Sequence, residues 1–149
     1  MTMFHSMNNT ASALTAQRLR MDVISSNVAN VDTTRGEYVN GEWIPYQRKS
    51  VVLQSKSPSF ASFMNAAMNQ STSGQGVQVS RIIEDRTPGK LIYDPSHVDA
   101  NEEGYVEMPN VDPLREMVDL MSATRSYEAN VTVFNASKSM MMKALEIGK

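Results

Sequence analysis

The sequence predicts an α+β protein in which long N- and C-terminal helices pair as an antiparallel coiled coil, with a small central β-rich insert between them. Three observations support this prediction. Each end of the 149-residue chain places apolar or small residues at alternating steps of three and four, the spacing of one helix face. Neither end segment is interrupted by Gly or Pro. The residues between them form short β-type runs separated by turn signals.

The N-terminal helix is predicted over about residues 3–31, within a first region that spans 1–31, and its length would be about 44 Å. Met7, Leu14, Met21 and Val28 lie seven residues apart and are candidate assembly-interface residues. The full stripe adds four further positions: Phe4, Ala11, Ser25 and the polar exception Arg18. A second apolar set widens it toward the C-terminal end: Leu19, Val23, Ile24 and Val31.

The predicted N-terminal helix ends in the sequence Asn27-Val28-Ala29-Asn30. An Asn at a helix C-terminus tolerates left-handed backbone and bonds nearby carbonyls. That role accounts for only one of the two Asn residues. Asn27 and Asn30 lie on one face of the helix and can also bond a neighbouring chain, so both join the candidate interface.

The C-terminal helix is predicted within a region that spans 112–149. Asp112 is a favourable N-cap, Pro113 suits the first helical position, and Gly148 ends the helix. Its length would be about 50 Å. Seven of its stripe residues are candidate interface residues: Met117, Leu120, Tyr127, Val131, Phe134, Met141 and Leu145. Thr124 and Lys138 occupy the two remaining, imperfect positions of the stripe.

The central region, 32–111, is predicted to be β-rich. Strands are expected at 47–55, 77–85, 90–94 and 105–108, whereas 32–46 is expected to be irregular. Residues 57–76 are rich in Ser, Asn and Gly, which predicts a flexible loop with one short helical turn around 60–68. A β unit of this size cannot cover both long stripes, so the helices are expected to cover one another and each to keep one flank uncovered.

Composition and motifs argue against an enzyme, and we expect no catalytic residue, no metal and no cofactor. The chain has no Cys and only two His, with no His-Glu-x-x-His pair, phosphate-binding glycine loop or nucleophile elbow. A net charge of −2 argues against nucleic-acid binding. The longest uncharged run, 57–80, is polar, which argues against membrane insertion, and the first residues lack the pattern of a cleaved signal peptide.

Three alternatives remain open at this point. The acidic string 99–104 matches the first half of a calcium loop, although its twelfth position is Asn110 and a solvated, turn-rich loop explains it better. A soluble helical binding or adaptor module would show the same apolar stripes, and cooperative melting of a monomer would favour it. A small hydrolase would have to use Asp94, His97, Asp99 or Glu102, for which no nucleophile and base are arranged.

Two stretches of the sequence resemble a known family. Residues 14–30, followed by Asp32-Thr-Thr-Arg35, resemble the N-terminal signature of bacterial flagellar rod, hook and filament-associated proteins. Residues 116–132 and 143–148 resemble the C-terminal signature of the same family. Three central strings narrow the resemblance to proximal-rod members: Tyr93-Asp-Pro95, Gly104-Tyr-Val106 and Pro109-Asn-Val111. The segment 32–38 departs from the family pattern by carrying extra residues between Thr and Tyr.

The resemblance implies a structural subunit that is exported unfolded by the flagellar export apparatus, without a cleaved signal peptide. It implies assembly with its own copies and other flagellar rod proteins into a hollow, torque-transmitting rod in the periplasm and cell envelope of the basal body. Composition is compatible with this role, because Leu, Ile, Val and Phe make up only 31 of 149 residues. Such a chain is expected to complete its apolar burial by coupled folding and assembly.

Overall fold

A computed structural model describes residues 2–39, 41–56, 64, 67, 68 and 76–147. In chain order its elements are α1 (Thr2–Ala29), β1 (Glu37–Val39), β2 (Glu42–Ile44), β3 (Lys49–Ser55), β4 (Val77–Glu84), β5 (Lys90–Tyr93), β6 (Tyr105–Met108) and α2 (Pro113–Ile147). The α+β class is confirmed. The predicted turn at 60–68 and the predicted helix end at Gly148 lie outside the described residues. Among the described helices, none combines the length and apolar character needed to cross a membrane.

Side-chain hydrogen bonds cap two helix ends that the sequence predicts, the start of α2 and the end of α1. The Asp112 carboxylate accepts a hydrogen bond from the Leu114 amide at 3.0 Å, so Asp112 is the N-cap and Pro113 the first residue of α2. At the other end, the Asn30 side chain donates to the Ser26 carbonyl at 2.8 Å, just beyond α1. The same carbonyl accepts from the Asn30 backbone amide at 3.2 Å, so the side chain adds a second hydrogen bond at the last turn of the helix.

The strands form three two-stranded sheets, β1–β2, β3–β4 and β5–β6. The hairpin β1–β2 corrects the prediction that 32–46 is irregular. Its antiparallel register pairs Tyr38 with Trp43, whose rings lie 5.1 Å apart. Gly41 has φ +98°, and an Asn-Gly pair, found here at positions 40 and 41 of the sequence, is a signal for a two-residue hairpin turn. The turn signal was present but its flanking strands, of three residues each, were too short to show alternation.

The chain divides into two compact units. Unit 1 comprises Met1–Leu19, Val52–Arg81 and Ala123–Lys149, and unit 2 comprises Arg20–Val51 and Ile82–Ser122. In unit 1, the Ser12 hydroxyl on α1 accepts a hydrogen bond from the Val77 amide at the start of β4, at 3.1 Å. Gly76 precedes it with φ +80°, and a Cβ there would lie only 2.5 Å from the Ser12 oxygen. The close approach of β4 to α1 therefore requires glycine.

Unit 2 contains a fully buried polar residue on each helix, Asn27 on α1 and Glu116 on α2, both 0% exposed. The Asn27 amide nitrogen donates to Glu116 at 2.9 Å and to the Lys49 carbonyl at 2.8 Å. Its oxygen accepts from the Lys49 amide at 2.9 Å and from the Tyr46 hydroxyl at 3.0 Å. All four hydrogen-bonding positions of the Asn27 side chain are therefore satisfied inside this chain.

The carboxylate of Glu116 is neutralised by a single cation. Arg48 donates to it through Nε at 2.6 Å and extends to Asp119 at 3.5 Å, while Arg20 on α1 lies 3.8 Å from Asp119. We call Asn27, Tyr46, Arg48, Lys49 and Glu116 the polar cluster. It joins α1, the start of β3 and α2 within unit 2.

The polar cluster predicts a large effect of removing its cation. Arg48→Met is expected to lower the free energy of unfolding by about 3–5 kcal/mol, because Glu116 would remain buried without a positive partner. Arg48→Met with Glu116→Leu is expected to recover most of that loss. Urea denaturation followed by circular dichroism measures both.

Arg86→Met is the matched control, because Arg86 is exposed and no ion pair involves it among the described residues. Its effect is expected to stay within about 0.5 kcal/mol. Equal losses for Arg48→Met and Arg86→Met would contradict the role given to the polar cluster.

A second link in unit 2 joins the segment after α1 to the loop after β5. Asp99 accepts hydrogen bonds from Arg35 Nε at 2.7 Å and from the Thr34 hydroxyl at 2.8 Å. The Arg35 hydrogen bond, followed by that of Thr34, lowers the pKa of Asp99 below its ordinary value of 3.8. Because the folded-state pKa lies below the unfolded one, the link stabilises the fold fully above about pH 4 and is lost as pH falls through the folded-state pKa.

Arg35→Gln is therefore expected to raise the pKa of Asp99 toward 3.8, as measured by NMR titration of its side-chain carboxyl carbon. Asp94 is the internal control, since hydrogen bonds from Ser96 are the main cause that lowers its pKa. A parallel rise at Asp94, or no change at Asp99, would contradict the assignment of Arg35 as the principal cause.

Candidate assembly interface

The predicted stripe of α1 consists of two sets of residues, each with a spacing of seven, which we call ladders. The two ladders differ in burial. Met7, Leu14, Met21 and Val28 are half-buried, whereas all members of the other ladder are exposed: Phe4, Ala11, Arg18 and Ser25. The most buried residues of the helix are instead Ala16, Val23, Ile24 and Asn27. The buried face is therefore rotated relative to the predicted one, and the polar exception Arg18 points to solvent.

The same rotation occurs on α2. Five predicted residues are half-buried: Leu120, Tyr127, Val131, Phe134 and Met141. Met117 and Leu145 are exposed, as are the two imperfect positions Thr124 and Lys138. The buried positions are Glu116, Ala123 and Ser137, each one residue before Met117, Thr124 or Lys138. We call the resulting face the inner seam, made of Glu116, Leu120, Ala123, Tyr127, Asn130, Phe134, Ser137 and Met141.

Small and polar residues occupy the deepest positions of the inner seam, which is why sequence reasoning missed them. Ala123 is fully buried, and a side chain of that size allows close approach of a neighbouring backbone. Ser137 satisfies its hydroxyl by donating to the Val133 carbonyl at 3.0 Å. The signal that could have found these positions is their spacing, because Glu116, Ala123, Asn130 and Ser137 recur every seven residues.

A second apolar face runs along α2 on the nearly opposite side from the inner seam, given about 100° of rotation per residue. We call it the outer stripe: Leu114, Val118, Met121, Val133, Met140 and Ile147, which are 51–86% exposed. Exposed Ala129 and Ala136 lie between them. Two basic residues share the sector, Arg125 and Lys143, and Lys143 is paired with Glu146 at 2.7 Å. Exposed large apolar side chains aligned along one helix face make it a candidate interaction site.

From Asn8 onward, the exposed face of α1 carries small or polar residues, with Arg18 as its one long side chain, and the exposed Phe4 precedes them on the same face. It again follows steps of three and four, and we call it the outer face of α1: Asn8, Ala11, Thr15, Arg18, Asp22, Ser25 and Ala29. The two helices thus present complementary kinds of surface, large apolar side chains on α2 and short side chains on α1.

Two hairpins add exposed aromatic pairs. Tyr38 and Trp43 are exposed on β1–β2, and Tyr93 and Tyr105 on β5–β6 have ring centroids 5.2 Å apart. Leu91 lies in the same hairpin and is also exposed. These side chains extend the uncovered apolar surface beyond the helices.

The predicted Asn pair is used within the chain. Asn27 is committed to the polar cluster, and Asn30 donates to Ser26 and accepts from the Thr33 hydroxyl at 3.2 Å. Asn27 has no accessible surface in the subunit, whereas Asn30 is half-buried.

The acidic loop is organised by its own turns. Asp94 accepts from the Ser96 hydroxyl at 2.6 Å, and Asp99 is held by Arg35 and Thr34. The His97 Nδ1 atom accepts from the Asp99 amide at 3.1 Å. Within the described part of the chain, no group of three or more acidic, His or Cys residues could hold a metal ion.

Comparison with known proteins identifies the family. Residues 7–35 match the family model of the flagella basal body rod protein, and residues 102–147 match that of the flagellar basal body rod FlgEFG protein C-terminal. The flagellar basal-body rod protein FlgC of Bacillus subtilis is 66% identical over 150 residues, covering all of both chains. The FlgC of Borreliella burgdorferi is 44% identical over 99% of this chain and 98% of its own, and that of Escherichia coli O6:H1 is 47% identical over 93% and 92%. The chain therefore belongs to the FlgC family of flagellar basal-body rod proteins.

Proposed function

We propose that this chain is a structural, non-enzymatic subunit of the flagellar basal-body rod, which assembles with its own copies and with other rod proteins. The observation that carries the proposal is the outer stripe of α2. This helix is apolar on two nearly opposite sides, and the residues that the structure describes cover only one of them. The relatives that match the whole chain are named as rod proteins, and none of them favours the adaptor alternative.

Burial of the outer stripe supplies the driving force for assembly. A large aliphatic side chain contributes about 1.5–3 kcal/mol when it passes from full exposure to full burial. The six members of the outer stripe are already partly covered, so their contribution is smaller, and ordering of the subunits offsets part of it. A net gain repeated along a rod is sufficient to make the assembled state much more stable than the free subunit.

We propose further that α1 and α2 pair as an antiparallel coiled coil, so that 1–31 and 112–149 form the rod core and 32–111 lies between them. Two contacts in unit 2 support the antiparallel direction. Asn27 bonds Glu116, and Arg20, nearer the start of α1, lies close to Asp119, farther along α2. The sevenfold repeat of the inner seam supports the coiled-coil geometry.

The proposed assembly interface includes the exposed predicted residues Met117 and Leu145 together with the outer stripe. The half-buried predicted residues would form its edges: Met7, Leu14, Met21, Val28, Leu120, Tyr127, Val131, Phe134 and Met141.

The proposal also covers location and export. The subunit would lie in the periplasmic part of the rod, after passage through the export apparatus without a cleaved signal. A small apolar core supports export, because the buried apolar residues in the described chain are few: Ala16, Val23, Ile24, Val106, Val111 and Ala123.

The outer stripe provides the sharpest test of rod assembly. Val118→Asp and Met121→Asp are each expected to reduce incorporation into basal bodies at least about tenfold, since a carboxylate would be buried in the contact. Both residues are exposed in the subunit, so its free energy of unfolding should change by less than about 0.5 kcal/mol. Immunoblots of purified basal bodies, with swimming assays, measure the loss.

Asn135→Asp is the matched control, because it adds the same charge at an exposed position of α2 outside the outer stripe. Leu120, Tyr127 and Phe134 are less suitable targets, since they are half-buried and Asp there would destabilise the subunit itself. Normal incorporation of both Val118→Asp and Met121→Asp would overturn the proposed role of the outer stripe.

A further inference from the structure

We infer that the outer stripe of α2 packs antiparallel onto the outer face of α1 in a second copy of this chain, in a register set by two ion pairs, Asp22 with Arg125 and Arg18 with Glu128. This inference rests on the proposed function, because it specifies which surfaces of neighbouring subunits meet. It is carried by the shapes, charges and spacings of the two exposed helix faces.

The shapes of the two faces are complementary. The outer stripe projects long or branched side chains such as Leu114, Val118 and Met121. The outer face of α1 offers short side chains at regular helical spacing, including Ala11, Thr15, Ser25 and Ala29. Helices pack closely when the ridges of one fit the grooves of the other, and short side chains leave such grooves open.

The charges of the two faces specify direction. Arg18 and Asp22 lie four residues apart on α1, and Arg125 and Glu128 lie three apart on α2; all four are exposed. Among the described residues, none of the four forms an ion pair. Antiparallel packing places each charge opposite its complement, whereas parallel packing in the same position would oppose Arg18 to Arg125. Like charges at a contact strongly disfavour that arrangement.

The same register also places large side chains of the outer stripe opposite short side chains of α1. When Asp22 faces Arg125, antiparallel alignment brings Ser26 opposite Met121 and Ala29 opposite Val118. Toward the start of α1, the same alignment brings Ala11 opposite Ala136. On the Arg125 side of the ion pairs, Met121 and Val118 therefore meet short residues of α1, whereas Val133 on the other side lies opposite Leu14.

This contact joins two different surfaces, so it is heterologous. Every added copy presents a free outer stripe at one side and a free outer face of α1 at the other. A heterologous contact that does not close into a ring continues as a helical assembly. The inferred contact thus leads directly to a rod rather than to a dimer.

Cross-linking tests the register in assembled rods. The chain has no Cys, so Ser26→Cys and Met121→Cys can be placed on separate, co-expressed copies. A short bis-maleimide applied to purified basal bodies is expected to give a product of twice the 16.6 kDa chain mass. The control pair, Ser26→Cys with Val133→Cys, is displaced by twelve residues, about 18 Å along the helix, and should give none.

Absence of the Ser26–Met121 product from basal bodies that contain both variants would overturn the inference. A product of another mass would overturn it as well, because the outer stripe would then lie against a different protein. Equal yields from the test and control pairs would exclude a defined register.

Charge exchange provides an independent test. Asp22→Arg and Arg125→Asp are each expected to reduce incorporation at least about fivefold, and the double variant to return within about twofold of the original chain, because the attractive pair is restored in reverse. Far-UV circular dichroism of each purified variant confirms folding. Failure of the double variant to recover would contradict the Asp22–Arg125 pair.

The outcomes separate the inference from the proposed function. If Val118→Asp and Met121→Asp abolish incorporation while charge exchange and cross-linking show no register, the rod role stands and the specified contact fails. If the outer-stripe variants themselves assemble normally, the proposed function fails first.

Discussion

The structure depends on one constraint: α2 is apolar on two nearly opposite sides, and the described parts of the chain cover only one. The inner seam is buried with small residues at its deepest positions, Ala123 and Ser137, while the outer stripe is left in solvent. A helix with one apolar face can be completed within its own subunit. A helix with two requires a neighbour, so assembly follows from the distribution of side chains around α2. The short side chains on the outer face of α1 provide a surface of the complementary kind.

The polar cluster acts at the point where the two helices meet in unit 2. Burial of Glu116 carries a desolvation cost that the Arg48 guanidinium and the Asn27 amide offset through directional hydrogen bonds. These bonds also include both backbone groups of Lys49, so a shift of α1 by one turn would leave several buried polar atoms unpaired. Apolar contacts alone tolerate such sliding. The polar cluster therefore fixes how α1 is aligned with α2. A fixed alignment is useful in a subunit whose exposed faces must match those of its neighbours.

Much of the fold followed from local patterns. The start of α2 is marked by Asp112 and Pro113, and four strands lie close to where turn residues and β-branched runs indicated. The hairpin β1–β2 was missed because strands of three residues cannot display alternation, although Asn40-Gly41 marked its turn. The interface was less predictable. Periodicity selected the largest side chains, Met117 among them, whereas the buried ladder lies one residue earlier and begins with Glu116. Apolar periodicity identifies candidate faces of a helix but does not indicate which of two is covered.

By itself, the sequence determined the α+β class, the start of α2, the turn that ends α1, the β-rich centre and the family signatures, because caps, turns and repeats act over a few residues. Only the tertiary structure decided that Glu116 is buried against Arg48, that Asn27 serves the chain's own fold, and that the outer stripe remains exposed. Glu116 lies 68 positions from Arg48 and 89 from Asn27. Residues so far apart in sequence become neighbours only when their backbones approach closely. The packing of the entire chain sets that approach, and no local pattern does.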